Sequence, residues 1–75
     1  MNAYAYVENN IKTLPTHVQA RIVRMFEELW GADTQFEEAS IASQLYGTLV
    51  TLYDVDAITE AQMHTLEDLV VASLS

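Results

Sequence analysis

Cysteine is absent from this 75-residue chain, and it holds only one proline and two glycines. Without cysteine there is no disulfide framework and no thiolate metal site, and a reducing compartment suits the chain. So little Pro and Gly excludes collagen-like and low-complexity readings, and argues against a turn-rich all-β fold. Positive charge is the third shortage. Lys12, Arg21 and Arg24 are the only bases, and the 51 residues from Met25 to Ser75 carry ten carboxylates and no lysine or arginine. Ordinary composition puts roughly six bases in a stretch of that length. Long apolar runs are missing too. The longest in the C-terminal segment is Leu69-Val70-Val71-Ala72, far short of a bilayer span. No basic flank followed by an apolar run opens the chain, so no secretory leader is expected and the cytoplasm is the expected location.

What is present has helical period. Tyr4, Val7, Ile11 and Leu14 are spaced to share one face, which predicts a helix over about 3–12 with Asn9 and Asn10 weakening its end. Pro15 suits a first helical turn and Thr16 with Gln19 has capping-box spacing, so a second helix is placed over 15–30. Its core face is Val18, Ile22, Met25, Phe26 and Leu29, with Gly31 as the stop. Thr34 and Glu37 repeat the capping spacing at the head of a third helix over 34–53. That helix carries two apolar stripes: Ile41, Leu45, Leu49 and Leu52, and beside them Ala42, Tyr46, Val50 and Tyr53. Small residues among them, Gly47 included, suit close approach of another helix. Thr59 with Gln62 marks the start of a fourth helix over 59–73, where Ile58 can staple onto Met63 and the buried stripe is Met63, Leu66, Val70 and Leu74. The expected fold is all-α, a compact antiparallel bundle of three to four short helices in a single domain.

Catalytic and ligand-binding patterns are not found. His17 and His64 belong to no His-x-x-x-His or Glu-x-x-His pair. Counted as a calcium loop from Asp54, the positions that need glycine and glutamate are Thr59 and Thr65. Gly31 and Gly47 stand alone, so there is no phosphate loop. No enzyme activity, cofactor or metal is expected. Direct binding to nucleic acid needs clustered bases to neutralise phosphates, and three do not supply it.

A field of one sign instead favours a cationic partner and repels nucleic acid and anionic membrane. Glu27, Glu28, Asp33, Glu37 and Glu38 gather around the turn between the second and third helices, while Glu60, Glu67 and Asp68 lie on the fourth. Tyr and Trp are favoured interface anchors, and Trp30 beside the acidic turn and Tyr6, off the first apolar stripe, are the two proposed for that role. These ten residues are the expected partner-binding set.

In size and in its base-free run of Glu27, Glu28, Asp33, Glu37, Glu38, Asp54, Asp56, Glu60, Glu67 and Asp68, the chain resembles the small acidic anti-defence proteins of phages and mobile elements, such as anti-CRISPR and anti-restriction proteins. The resemblance is one of size and composition and matches no motif. It implies an inhibitor that docks on a basic, nucleic-acid-binding surface of a partner protein, acting in the host cytosol where the protein is phage-encoded. The second reading is a homodimeric helical regulatory or accessory module, such as an antitoxin-like subunit. It draws on the 51% apolar content and on Tyr46, Val50 and Tyr53 as a face for a second copy.

Overall fold

The computed structural model describes residues 2–75, which form four helices: α1 (Ala3–Asn9), α2 (Thr16–Trp30), α3 (Gln35–Asp54) and α4 (Glu60–Ala72). No strand occurs among the described residues, and the all-α expectation holds. The fourth helix begins with the capping box read from its sequence. The Thr59 N–H donates to Gln62 Oε1 at 2.8 Å and the Gln62 N–H donates to Thr59 Oγ1 at 3.1 Å. The third begins with half of one. Thr34 Oγ1 accepts from the Glu37 N–H at 3.1 Å, but the Glu37 carboxylate reaches the Asp33 N–H, at 3.4 Å, in place of the cap residue's own.

Two boundaries differ from expectation. Pro15, not Thr16, caps α2, and it contributes no side-chain bond. Gln19 turns backward, and its Nε2 donates to the carbonyls of Leu14 at 2.7 Å and Lys12 at 3.3 Å. Its amide therefore satisfies the incoming chain and is not available for a capping box. Helix α1 stops at Asn9 and does not continue to Lys12, since Asn10 Nδ2 donates to the Tyr6 carbonyl at 2.8 Å and diverts the backbone from the helix. Turns bonded from Ile11 N–H to Glu8 O and from Leu14 N–H to Ile11 O follow, and they keep Ile11 and Leu14 in the core. Tyr4, expected on the same buried stripe, is 42% exposed.

The α3–α4 connection has its own device. Asp56 takes a left-handed φ of 61°, the Ala57 N–H donates to Leu52 O at 2.8 Å and the Asp56 N–H to Tyr53 O at 2.9 Å. This six-to-one and five-to-two pair is a Schellman motif, with Asp where glycine is commonest.

The core draws on every helix. Ile22, Phe26 and Leu29 of α2 and Ala42, Leu45 and Leu49 of α3 are buried. So are Met63, Leu66 and Val70 of α4, together with Val7, Ile11, Leu14 and Ile58. Burial of both Ile58 and Met63 fits the staple, whereas Leu74 is 40% exposed and drops out of the α4 stripe. On α3 the buried line runs between the two predicted stripes. Ile41, Leu52, Tyr46 and Tyr53 flank it half-buried, and Val50 faces out. Helix α3 thus packs between α2 and α4, and α1 lies on α2. The radius of gyration is 11.5 Å, close to the ~11 Å expected of a folded chain of this length.

Gly47 does not serve close packing inside the chain. It is exposed in the middle of α3, and a Cβ built there meets nothing within 4 Å. Gly47→Ala should therefore stabilise the monomer by about 0.5–1 kcal/mol, the ordinary helix-propensity difference, read as a raised urea midpoint at low protein concentration.

Candidate interaction surface

The chain order places the α2–α3 turn, the start of α1 and the end of α4 at one end of the bundle. Trp30 joins them. Its indole Nε1 donates to Ser73 Oγ at 3.0 Å, and that hydroxyl donates on to Leu69 O at 2.7 Å. The Tyr4 ring meets the indole edge-on at 5.2 Å between centroids, and Phe26 lies tilted against it at 5.7 Å. Half-buried and hydrogen-bonded, Trp30 is a clamp between elements. Its placement does not leave the open indole expected of an interface anchor.

The five carboxylates expected at this end separate by role. Glu27 is exposed, and its Oε2 accepts the Tyr4 phenol at 2.6 Å. Glu28, Asp33 and Glu37 are exposed as well. Glu38 is not: only 8% exposed, it accepts from the Ser75 N–H at 3.1 Å and the Ser75 hydroxyl at 2.8 Å. The expectation that Glu38 meets a partner is thus corrected by position. It lies four, seven and eleven residues before Ala42, Leu45 and Leu49, on the buried line of α3, and a buried carboxylate must be satisfied internally.

The fourth-helix acids are spread out. Glu60 accepts the Tyr53 phenol at 3.3 Å, Glu67 is half-buried and Asp68 is exposed. Asp54 and Asp56 lie near Tyr53 and, behind the Glu60 charge and hydrogen bond, help hold its pKa above the ordinary tyrosine value. Tyr6 is 43% exposed at the rim of a cleft of about 370 Å³ between α1 and α4, which Asp68 and Leu69 also line. The acids therefore form one group at the α2–α3 end and another around the α3–α4 connection, with Glu67 partway along α4 and Asp68 beside the Tyr6 cleft. Of the face expected to receive a second copy, Tyr46 and Tyr53 are half-buried against the core and Val50 is 41% exposed.

Two features escaped the sequence reading. Phe36 is 84% exposed at the head of α3, in neither apolar stripe. Arg21 and Arg24 line a groove of about 770 Å³ between α2 and α3 with Gly47, Thr48 and Thr51. The signal for Phe36 was its position on the helical wheel, opposite Leu45. No group of three or more metal-ligating side chains assembles among the described residues, and no helix among them is long and apolar enough to cross a membrane. No protein-family model, curated protein or solved structure matches the chain.

The Glu27 carboxylate raises the Tyr4 pKa above its ordinary value, first through the hydrogen bond and then through its charge. A raised folded-state pKa means that the contact contributes fully below the ordinary tyrosine pKa and is lost as pH rises through the folded value. Glu27→Gln should lower the Tyr4 midpoint in a phenolate absorbance titration with Tyr4→Phe as the blank; an unmoved midpoint contradicts the assignment. Glu38→Ala should cost about 0.5–1.5 kcal/mol in urea unfolding, since it removes the hydrogen bonds to Ser75, whose exposed donors return to water.

Proposed function

We propose that the chain is a small acidic binding protein that docks its α2–α3 end onto a basic surface of a partner protein, of the kind that grips nucleic-acid phosphates. The observation that carries this reading is the position of Glu27 and Glu28 in the last turn of α2. A helix C-terminus carries partial negative charge, so acids there are disfavoured by about 0.3–1 kcal/mol and bases are favoured. None of the four helices has a base in its last turn. Glu37 and Glu60 sit in first turns, where the dipole favours them, so their charge has a structural explanation. Glu28 has no first-turn role; it lies one turn after Arg24 in the α2–α3 groove, and with Glu27, Asp33 and Glu37 it forms an exposed group of one sign. Such a group attracts cationic surfaces over a Debye length of about 8 Å at physiological salt and occupies the place of phosphates on contact. Inhibition of a nucleic-acid-binding protein of the anti-CRISPR or anti-restriction kind is the sharpest form of this reading.

Its test separates the effect on stability from the effect on binding. Glu28→Lys should leave the thermal midpoint nearly unchanged, because the gain at the α2 terminus is offset by the like charge of Arg24 one turn earlier. Combined with Asp33→Lys, it should reduce capture of the partner from host lysate by about tenfold or more. Wild-type capture should weaken with added salt and with competing duplex DNA or RNA. Capture that is indifferent to the double reversal, or to both salt and nucleic acid, removes the reading.

A further inference from the structure

The outer face of α3 has no partner within the chain. Its outermost line is Phe36, Ser40, Ser43, Gly47, Val50 and Asp54, all exposed and spaced 4, 3, 4, 3 and 4. That is a heptad seam along nearly the whole 20-residue helix. Phe36, at 84%, and Val55, at 66%, are the most exposed large apolar residues, and they lie at opposite ends of this helix. Between them the seam is small, and Gly47 leaves open space where a side chain belongs.

We propose that this face pairs with the same face of a second copy, as an antiparallel two-fold dimer. The spacing reads identically from either end, with its centre level with residue 45. An antiparallel copy therefore sets Phe36 against Asp54, Ser40 against Val50 and Ser43 against Gly47 of the other chain. Helical side chains lean toward their own N-terminus, which in this arrangement carries Phe36 toward Val55 of the second copy.

Charge selects the occupant and its direction. Arg21 and Arg24 flank the C-terminal half of the seam, in the groove beside Gly47, Thr48 and Thr51. Glu28 lies in the same groove near the centre and Asp54 ends the seam; the two arginines leave this half the less acidic one. Lys12 lies toward the same end, since the adjacent Thr13 hydroxyl donates to Ala57 O of the α3–α4 connection at 3.5 Å. The N-terminal end of the seam carries Asp33 and Glu37 and no base. Glu37 and Thr51 share one edge of α3 and stand about 21 Å apart along its axis. An antiparallel copy brings the carboxylates of one chain to the arginines of the other, twice. A parallel copy sets the acidic ends against each other.

Asp33 and Glu37 serve both this pairing and the docking reading, so the tests rest on other residues. Phe36 and Gly47 carry no charge, and self-association is measured without any partner. Sedimentation equilibrium of the full chain from low micromolar to submillimolar concentration should show a mass that doubles. Phe36→Glu and Gly47→Leu should remain monomeric with unchanged far-UV circular dichroism, and Val71→Glu, on exposed α4 surface, should still dimerise. The chain has no cysteine, so engineered ones report direction cleanly. Ser40→Cys should form a disulfide-linked dimer when mixed with Val50→Cys, and not by itself. A wild-type monomer at every concentration, a dimeric Phe36→Glu, a monomeric Val71→Glu, or efficient self-linking of Ser40→Cys overturns the proposal.

Discussion

The fold depends on covering the inner face of α3 from both sides. Leu45 and Leu49 are fully buried, and neither α2 nor α4 alone shields a helix that packs against both. Ile22, Phe26 and Leu29 supply one wall and Met63, Leu66 and Val70 the other. A domain of this length has a stability of only about 4–11 kcal/mol, so losing either wall exceeds what the rest can offset. Antiparallel connections then bring the α2–α3 turn and the end of α4 together. Trp30 and Glu38 can reach Ser73 and Ser75 because that geometry is already set.

The same constraint separates what was legible in the sequence from what was not. Local chemistry read well where one residue had one available partner. Thr59 and Gln62 form the box their spacing announces, and Ile58 and Met63 are buried as a staple requires. It read badly where a side chain had a choice. Gln19 has the spacing of a capping residue, but the carbonyls of Lys12 and Leu14 lie within its reach and take its amide. Asn10 likewise bonds Tyr6 O and ends α1 early, while the apolar stripe continues through the turns. Periodicity gave the faces of α2 closely. On α3, with apolar residues on most sides, it spread the core over two stripes when the buried line runs between them. Glu38 shows the limit most clearly. Its charge marked it as surface, whereas its register with Ala42 and Leu45 placed it inside, and only the position of Ser75 reveals how the carboxylate is satisfied.

Register also sorts the acids by the work they do for the fold. Glu38 binds the end of the chain, Glu37 bonds the Asp33 N–H, and Glu60 takes the Tyr53 phenol at a favourable helix start. Glu27 holds Tyr4, which in turn packs on Trp30. Glu28 makes no side-chain hydrogen bond among the described residues, has Arg24 one turn before it, and sits where its own helix disfavours it. Uniform acidity is therefore not one phenomenon. Part of it is helix chemistry, and what remains is a small set, Glu28 and Asp33 at the α2–α3 turn, of which Glu28 sits against its own helix dipole. This residual set, more than the net charge of −8, is what supports a cationic partner.

Net charge has a second consequence, for the exposed apolar face. Phe36 and Val55 on a neutral chain of this size invite indiscriminate association. With eight net negative charges, most orientations of two copies bring acid against acid, and repulsion opposes them. Orientations that place Arg21 and Arg24 against carboxylates escape part of that penalty, and the antiparallel α3 pairing is one that also unites the apolar ends. Scarcity of positive charge then acts as a selector. Two arginines on α2, of which Arg24 also borders the cleft toward Glu8 and Glu27, give self-pairing a direction that a balanced surface would not. Asp33 and Glu37 belong to both proposed surfaces, so pairing of the α3 faces and docking on a basic partner would compete for the same carboxylates.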